Sequence, residues 1–252
     1  MKIALWQGPS PMGDTDAALV TLTTAVAAAG AAGALMLVAP EAYLPGYNQP
    51  DIADRALSQD GAWQTRLADA CRAAGCGLCV GYAERAGNQI FNAAVTIGPD
   101  GAVLGHYRKI QLYGPREKAI YEPGSVYTTF DVAAVRAAML ICYDIEFAPH
   151  IAALEAQGVK LVLVPTANMD PFTHVVRATV PAMAANHGMT IVYANYCGSE
   201  GDLDYVGGSL IAAPDGSVMA QAGRVATLIV AEVPTIDPQH LSTQAQDYRV
   251  IF

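Results

Sequence analysis

Short runs of β-prone apolar residues alternate with longer, helically periodic segments along the whole chain. Residues 2–6 (KIALW) predict a strand, and 14–29 a helix that Asp14 or Thr15 is able to cap. A strand over 34–38, a helix over 63–74 closed by Gly75, and a strand over 78–82 follow. Segments 89–97 and 102–107 flank Gly98-Pro99-Asp100-Gly101, the composition of a hairpin turn. A polar, Gly- and Pro-bearing loop is expected over 114–124, then strands over 127–130 and 135–141. The pattern continues with a helix over 148–157, a strand over 161–164, a helix over 173–186 and a strand over 190–193. It returns to β over 208–212, 218–220 and 226–231, with a Pro214-Asp215-Gly216 turn between the first two. Runs such as LVLV (161–164) and AAML (137–140) predict sheet covered on both faces. Hairpins mixed with crossover helices predict two mixed sheets rather than one doubly wound sheet.

Three of the apolar runs lead to a reactive side chain. Run 34–39 precedes Glu41 in APEAYLPGY, run 102–107 precedes Lys109 in HYRKIQLYG, and run 135–141 ends at Cys142 in LICYDIEF. In an α/β protein the loops beyond the strand ends line one crevice, where ligands bind. A carboxylate, an ammonium and a thiol delivered there supply a base, an oxyanion clamp and a nucleophile, the parts of covalent catalysis. Taken singly each has a plainer reading: a solvated loop acid, a surface lysine, an inert buried thiol. Cys142 also precedes a helical segment, so N-terminal amides are expected to lower its pKa and enrich the thiolate.

Composition narrows the partners. A chain of 252 residues, 53% hydrophobic and 15% charged, suits one domain, residues 1–252, with a substantial core. A net charge of −9 with only 14 scattered basic residues argues against nucleic-acid and anionic-membrane binding. The apolar run at the start is far shorter than the core of a signal peptide, and no segment approaches the roughly 18 apolar residues of a span. Five cysteines, an odd number, suit reduced thiols and a cytoplasmic location better than a disulfide framework. Cys76-Gly77-Leu78-Cys79 has CxxC spacing, but without a second pair or nearby histidines it reads as a turn entering a buried strand.

The order and flanks of these motifs resemble the nitrilase, or carbon–nitrogen hydrolase, superfamily, from KIALWQ to VGGSLIAAPDG. The most specific stretch, YRKIQLYGPREKAIYEPG followed by CYDIEF, is similar to its amidase branch. The resemblance implies an α-β-β-α sandwich of two mixed sheets flanked by helices, and a Glu–Lys–Cys triad without metal or organic cofactor. Glu41 would be the base, Lys109 with the Tyr143 amide the oxyanion clamp, Cys142 the nucleophile, and Glu117 a second glutamate that positions substrate and steadies the cysteine loop. A charged loop of Arg116, Lys118 and Glu122 is the plain alternative for Glu117. Tyr47, Tyr113, Tyr143 and Asn168 are expected at the substrate pocket, with Met169 and Phe147 as further walls.

The implied reaction is hydrolysis of a small primary amide through a thioester. N-carbamoyl hydrolysis, served by Arg116 or Arg177, is the runner-up; a nitrilase, with Trp-Glu after its cysteine, and a thiol-dependent acyltransferase rank lower. Two family features are absent: the glutamate of FPE, where this chain reads Phe147-Ala148-Pro149-His150, and the charged pair of RAxEN, replaced by alanines within Ala182–Asn186. The tail, residues 235–252, is expected at a contact between the subunits of a homodimer or larger homo-oligomer.

Overall fold

The computed structural model describes residues 1–234 and 236–249; Val250–Phe252, the end of the expected contact tail, lie outside the described residues. The chain opens with β1 (Lys2–Gln7), α1 (Thr15–Ala31), β2 (Met36–Val38), the short β3 (Leu57–Ser58) and α2 (Ala62–Ala74). It continues through β4 (Gly77–Ala86), β5 (Gln89–Ile97), β6 (Val103–Arg108), α3 (Gly114–Ile120), β7 (Thr129–Val132) and β8 (Val135–Met139). A 3-10 turn over Cys142–Glu146 leads to α4 (Ala148–Ala156), β9 (Leu161–Pro165), a π turn over Val175–Thr179 and α5 (Val180–His187). The last elements are β10 (Thr190–Ala194), β11 (Ser199–Glu200), β12 (Leu203–Asp204), β13 (Leu210–Ala212), β14 (Val218–Gln221), β15 (Thr227–Glu232) and α6 (Gln244–Asp247).

Two mixed sheets result. One runs β15-β1-β2-β4-β5-β6 with β3 beside β4, and the other runs β14-β13-β10-β9-β8-β7. Their inner faces meet: Ile3, Leu5, Met36 and Val38 pack in one buried cluster with Met139, Leu163, Ile191 and Tyr193. The alternate residues Ala4 and Leu37 turn outward against Leu19, Leu22 and Val26 of α1, as the two-residue period of a strand requires. Ile151 and Leu154 of α4 and Val180 and Ala184 of α5 cover the second sheet. This is the α-β-β-α layering that the resemblance implies, reached here from the apolar faces.

The local chemistry explains the element ends. The Asp14 carboxylate accepts from the Ala17 N–H at 2.9 Å and caps α1, and Gly75 closes α2 in the left-handed region at φ 61°. Two expectations change. Residues 114–120 are helical rather than loop, because Pro115 begins the helix at its first turn, where no amide is needed, and Glu117 is drawn inward. The helix expected over 173–186 begins as a wider π turn. Pro181 has no N–H to offer the carbonyl of residue 177, and the regular ladder settles only around that point.

Gly81 on β4 is required by the site. A Cβ there would strike the backbone of Glu41 and Ala42, so the absence of a side chain lets the glutamate loop lie flat on the sheet.

Candidate active site

Each reactive residue sits at the end of the strand its apolar run predicts. Glu41 follows β2 and is pinned by its own backbone: its N–H reaches Thr166 O at 3.3 Å, and Tyr196 Oη donates to its carbonyl at 2.7 Å. Lys109 follows β6, held by Lys109 N to Asn92 O at 2.8 Å and Gly124 N to Lys109 O at 2.7 Å. Cys142 follows β8 of the other sheet and takes φ 46°, a left-handed conformation unusual for a residue other than glycine. The strain turns the chain sharply from strand into the 3-10 turn, and an observed strain of this kind marks functional turns.

Glu41 and Lys109 form one buried charged cluster with Glu117. Lys109 Nζ donates to Glu41 Oε1 at 2.6 Å and to Glu117 Oε1 at 2.8 Å, with all three side chains withdrawn from solvent. Tyr47 Oη donates to Glu117 Oε1 at 2.7 Å, and the Tyr113 N–H donates to Glu117 Oε2 at 2.8 Å. Glu117 is therefore an inward-facing anchor and not part of a charged surface loop. Asn92 Nδ2 donates to Glu41 Oε1 at 2.7 Å, which leaves Glu41 Oε2 without a hydrogen-bond partner among the described residues.

The electrostatics of the cluster follow from burial. Burial pushes the Glu41 carboxyl up, Lys109 pulls it back and Glu117 adds to the rise, leaving it at about 6. Burial alone would lower the Lys109 ammonium, but Glu117 and Glu41 hold it well above its usual range, so it is a fixed cation. Burial and the Glu41 charge together push the Cys142 thiol well above its usual range, against a smaller opposing pull from Lys109. This corrects the expectation of a thiolate-rich cysteine. The start of a five-residue 3-10 turn does not outweigh desolvation beside a carboxylate, so the resting form is the thiol and its proton needs an acceptor.

Beside Cys142 opens a cavity of about 230 Å³, lined among others by Tyr47, Tyr113, Tyr143, Asn168 and Met169. The structure thus brings every residue expected at the pocket to one place except Phe147. That ring lies behind Tyr143, edge-on at 4.9 Å between centroids. Tyr113 meets Tyr143 and Phe172 edge-on at 5.3 and 6.0 Å, forming an aromatic wall. Asn168 is fixed by exchange with Asn195, which accepts from Asn168 N–H at 2.9 Å and donates to Asn168 O at 3.0 Å.

A buried glutamate–lysine pair facing a cysteine across two sheets is what the resemblance describes, and a carbon–nitrogen hydrolase model matches residues 2–239. The chain belongs to the carbon–nitrogen hydrolase family. It is 39% identical to a protein described as a hydrolase in the pqqF 5′ region of Pseudomonas protegens, over 95% of this chain and 84% of that one. It is 34% identical to an (R)-stereoselective amidase of a Pseudomonas species, over 98% of this chain and 89% of the other. An amidase from Nesterenkonia sp. AN1 superimposes with a TM-score of 0.89 at 33% identity, covering 99% of this chain and 96% of its own. Structures of mutants of that amidase show acrylamide, or the acetamide moiety of fluoroacetamide, added to the active-site cysteine.

Three polar residues of this carbon–nitrogen hydrolase site escape sequence reasoning. Asn92 is buried on β5 inside IFNAAV, where a polar residue amid core-facing positions is the one available signal. Asp144 is fully buried two residues beyond the cysteine. Its carboxylate accepts from Gln111 N at 2.7 Å, Ile141 N at 3.1 Å and Tyr107 Oη at 2.8 Å, and so ties the cysteine turn to the lysine loop. Glu146 lines the cavity itself. In the segment that replaces FPE, His150 is buried, with Nδ1 2.6 Å from Tyr127 Oη and Nε2 3.1 Å from the Gln111 amide. The alanines of α5 leave no unpaired charge, and Cys76 and Cys79 are buried thiols raised to about 11 and about 12 by desolvation. Among the described residues no group of three His, Cys, Asp or Glu side chains is placed to hold a metal ion, and no helix is long and apolar enough to cross a membrane.

Proposed function

We propose that this carbon–nitrogen hydrolase is an amidase that converts small primary amides to carboxylic acid and ammonia through a thioester on Cys142. The observation that carries this reading is the Glu41–Lys109–Glu117 cluster placed beside a cysteine that opens onto a small cavity. Glu41, with its free Oε2 and a pKa of about 6, is ionised at neutral pH and accepts the thiol proton as sulfur attacks the amide carbonyl. The oxyanion that forms is met by the Lys109 ammonium and by the Tyr143 N–H, which stands at the start of a 3-10 turn where no internal acceptor is available. Glu41 returns the proton to the departing ammonia, then takes one from water, and hydroxide releases the acid. No step requires a metal.

The cavity disfavours the carbamoyl alternative. None of its lining residues is an arginine or lysine. Arg116 spends its guanidinium on Tyr47 O at 3.0 Å and Gln49 O at 2.9 Å, and Arg177 is exposed. Ammonia release from a panel of primary amides, nitriles and N-carbamoyl amino acids tests the reading; amide turnover with an acyl mass gain on the protein is the expected result, and turnover confined to carbamoyl compounds would overturn it. In the same assay kcat/KM is expected to rise with pH through about 6, because the ionised Glu41 is the active form. Glu41→Gln should remove that limb together with most of the activity.

We also propose that copies of the chain associate through the tail region, as a homodimer or larger homo-oligomer. Helix α6 packs on α5, and Tyr248 beside it is 76% exposed, which leaves its ring open to a second copy. Light scattering at micromolar concentration is expected to give at least twice the 26.3 kDa chain mass, and a monomeric mass would overturn the proposal.

A further inference from the structure

Among the described residues, Glu146 is the one acidic side chain that lines the cavity beside Cys142. It closes the 3-10 turn that Cys142 opens, and its side chain is only 28% exposed. Among the described residues its carboxylate makes no hydrogen bond; the His174 imidazole Nε2, on a side chain that is 62% exposed, lies 3.9 Å away, and the Lys109 ammonium acts on it from farther off. A half-buried carboxylate facing an apolar cavity without a donor is an unfavourable arrangement unless a ligand supplies one. Its neighbours, Tyr113, Tyr143 and Phe172, present aromatic rings, and aromatic faces beside a carboxylate form a cation-binding set.

We propose that Glu146 is a specificity-determining residue that selects amides carrying a cationic group, an ammonium, on the acyl chain and rejects those carrying a carboxylate. The inference rests on the amidase reading above and names its substrate class. The turn sets the length: at about 2.0 Å rise per residue, four residues place the two backbones roughly 8 Å apart along the axis. The ammonium therefore belongs several bonds from the scissile carbonyl. A cavity of about 230 Å³ admits an unbranched chain of that length and little more.

Three amides of equal chain length test this: 6-aminohexanamide, hexanamide and the monoamide of adipic acid. The expected kcat/KM falls in that order, by about tenfold or more at each step, the effect of one partly desolvated ion pair made or opposed. Glu146→Gln, of nearly the same shape, should bring the cation-to-neutral ratio to within about threefold of unity, and Glu146→Lys should invert the order. Calorimetric binding of 6-aminohexanamide to Cys142→Ala, weakened in Cys142→Ala/Glu146→Gln, gives a readout independent of turnover. Equal rates on all three amides, or a ratio unchanged in Glu146→Gln, overturn the inference while leaving an amidase. Absence of ammonia from every amide, hexanamide included, overturns the amidase reading and the inference with it.

Discussion

Cys142→Ala is expected to lower kcat on amides by about ten-thousand-fold or more, the scale on which loss of a catalytic nucleophile is felt, with almost no change in stability. The reasoning separates chemistry from architecture. Sγ belongs to a half-buried residue at the cavity. It takes no part in the hydrogen bonds that join Lys109 to Glu41 and Glu117 or Glu117 to Tyr47. Removing it leaves that charge network paired, and alanine accepts the left-handed φ no worse than cysteine does. Intact mass spectrometry during turnover should show an acyl adduct on the native chain and none on the variant, with melting temperatures within a few degrees of each other. Residual amide hydrolysis above one part in a hundred in the variant would mean that water attacks directly, with Glu41 as its base and no thioester on the path.

Lys109→Met should have the opposite profile, destroying activity and stability together. The ammonium lies between two carboxylates inside the protein, and its removal strands negative charge where water cannot reach. Breaking such a buried pair typically costs about 3–5 kcal/mol. The loss has a defined pH dependence. Glu41 already stands at about 6 in the folded chain against an ordinary 4.5, so a folded carboxyl binds its proton more tightly than an unfolded one. That difference favours the fold below about 4.5 and is lost as pH rises through about 6. Without Lys109 the Glu41 carboxyl moves higher still, and the destabilisation of the variant should shrink as pH falls from 8 to 5.5. Urea unfolding at the two pH values measures it. An equal loss at both would assign the effect to the cavity left by the lysine stem instead of to stranded charge.

Much of this architecture is legible in the amino-acid sequence, for an identifiable reason. Buried strands of a two-sheet protein carry uninterrupted apolar runs, so their ends are visible in sequence, and the reactive residues sit at those ends. Glu41, Lys109 and Cys142 stand out that way, whereas Glu117 is named only through the family resemblance. What sequence misjudges depends on three-dimensional surroundings. The pKa of Cys142 is expected to fall because a helix start follows it; it rises because the thiol is buried and because Glu41, 101 positions earlier in the chain, adds its charge. The 114–120 segment reads as polar loop until Glu117 is seen paired to Lys109 and to the Tyr113 amide. Asn92 shows in sequence only as a polar residue amid core-facing positions, and the roles of Asn92 and Asp144 stay hidden because Glu41 and Gln111, which they meet, are remote in sequence.

The reactive centre is divided between the two halves of the chain. Glu41, Lys109 and Asn92 come from the sheet built mostly of the first 108 residues; Cys142, Ala167 and Asn168 come from the sheet that follows. Neither half owns a working site, and only the seating of one apolar face on the other brings acid and thiol within reach. Residues such as Met36, Met139 and Leu163, which never meet a substrate, hold that seating. Selection for turnover therefore acts on them too, and the interior of this enzyme evolves under the constraint of its chemistry as much as under that of its fold.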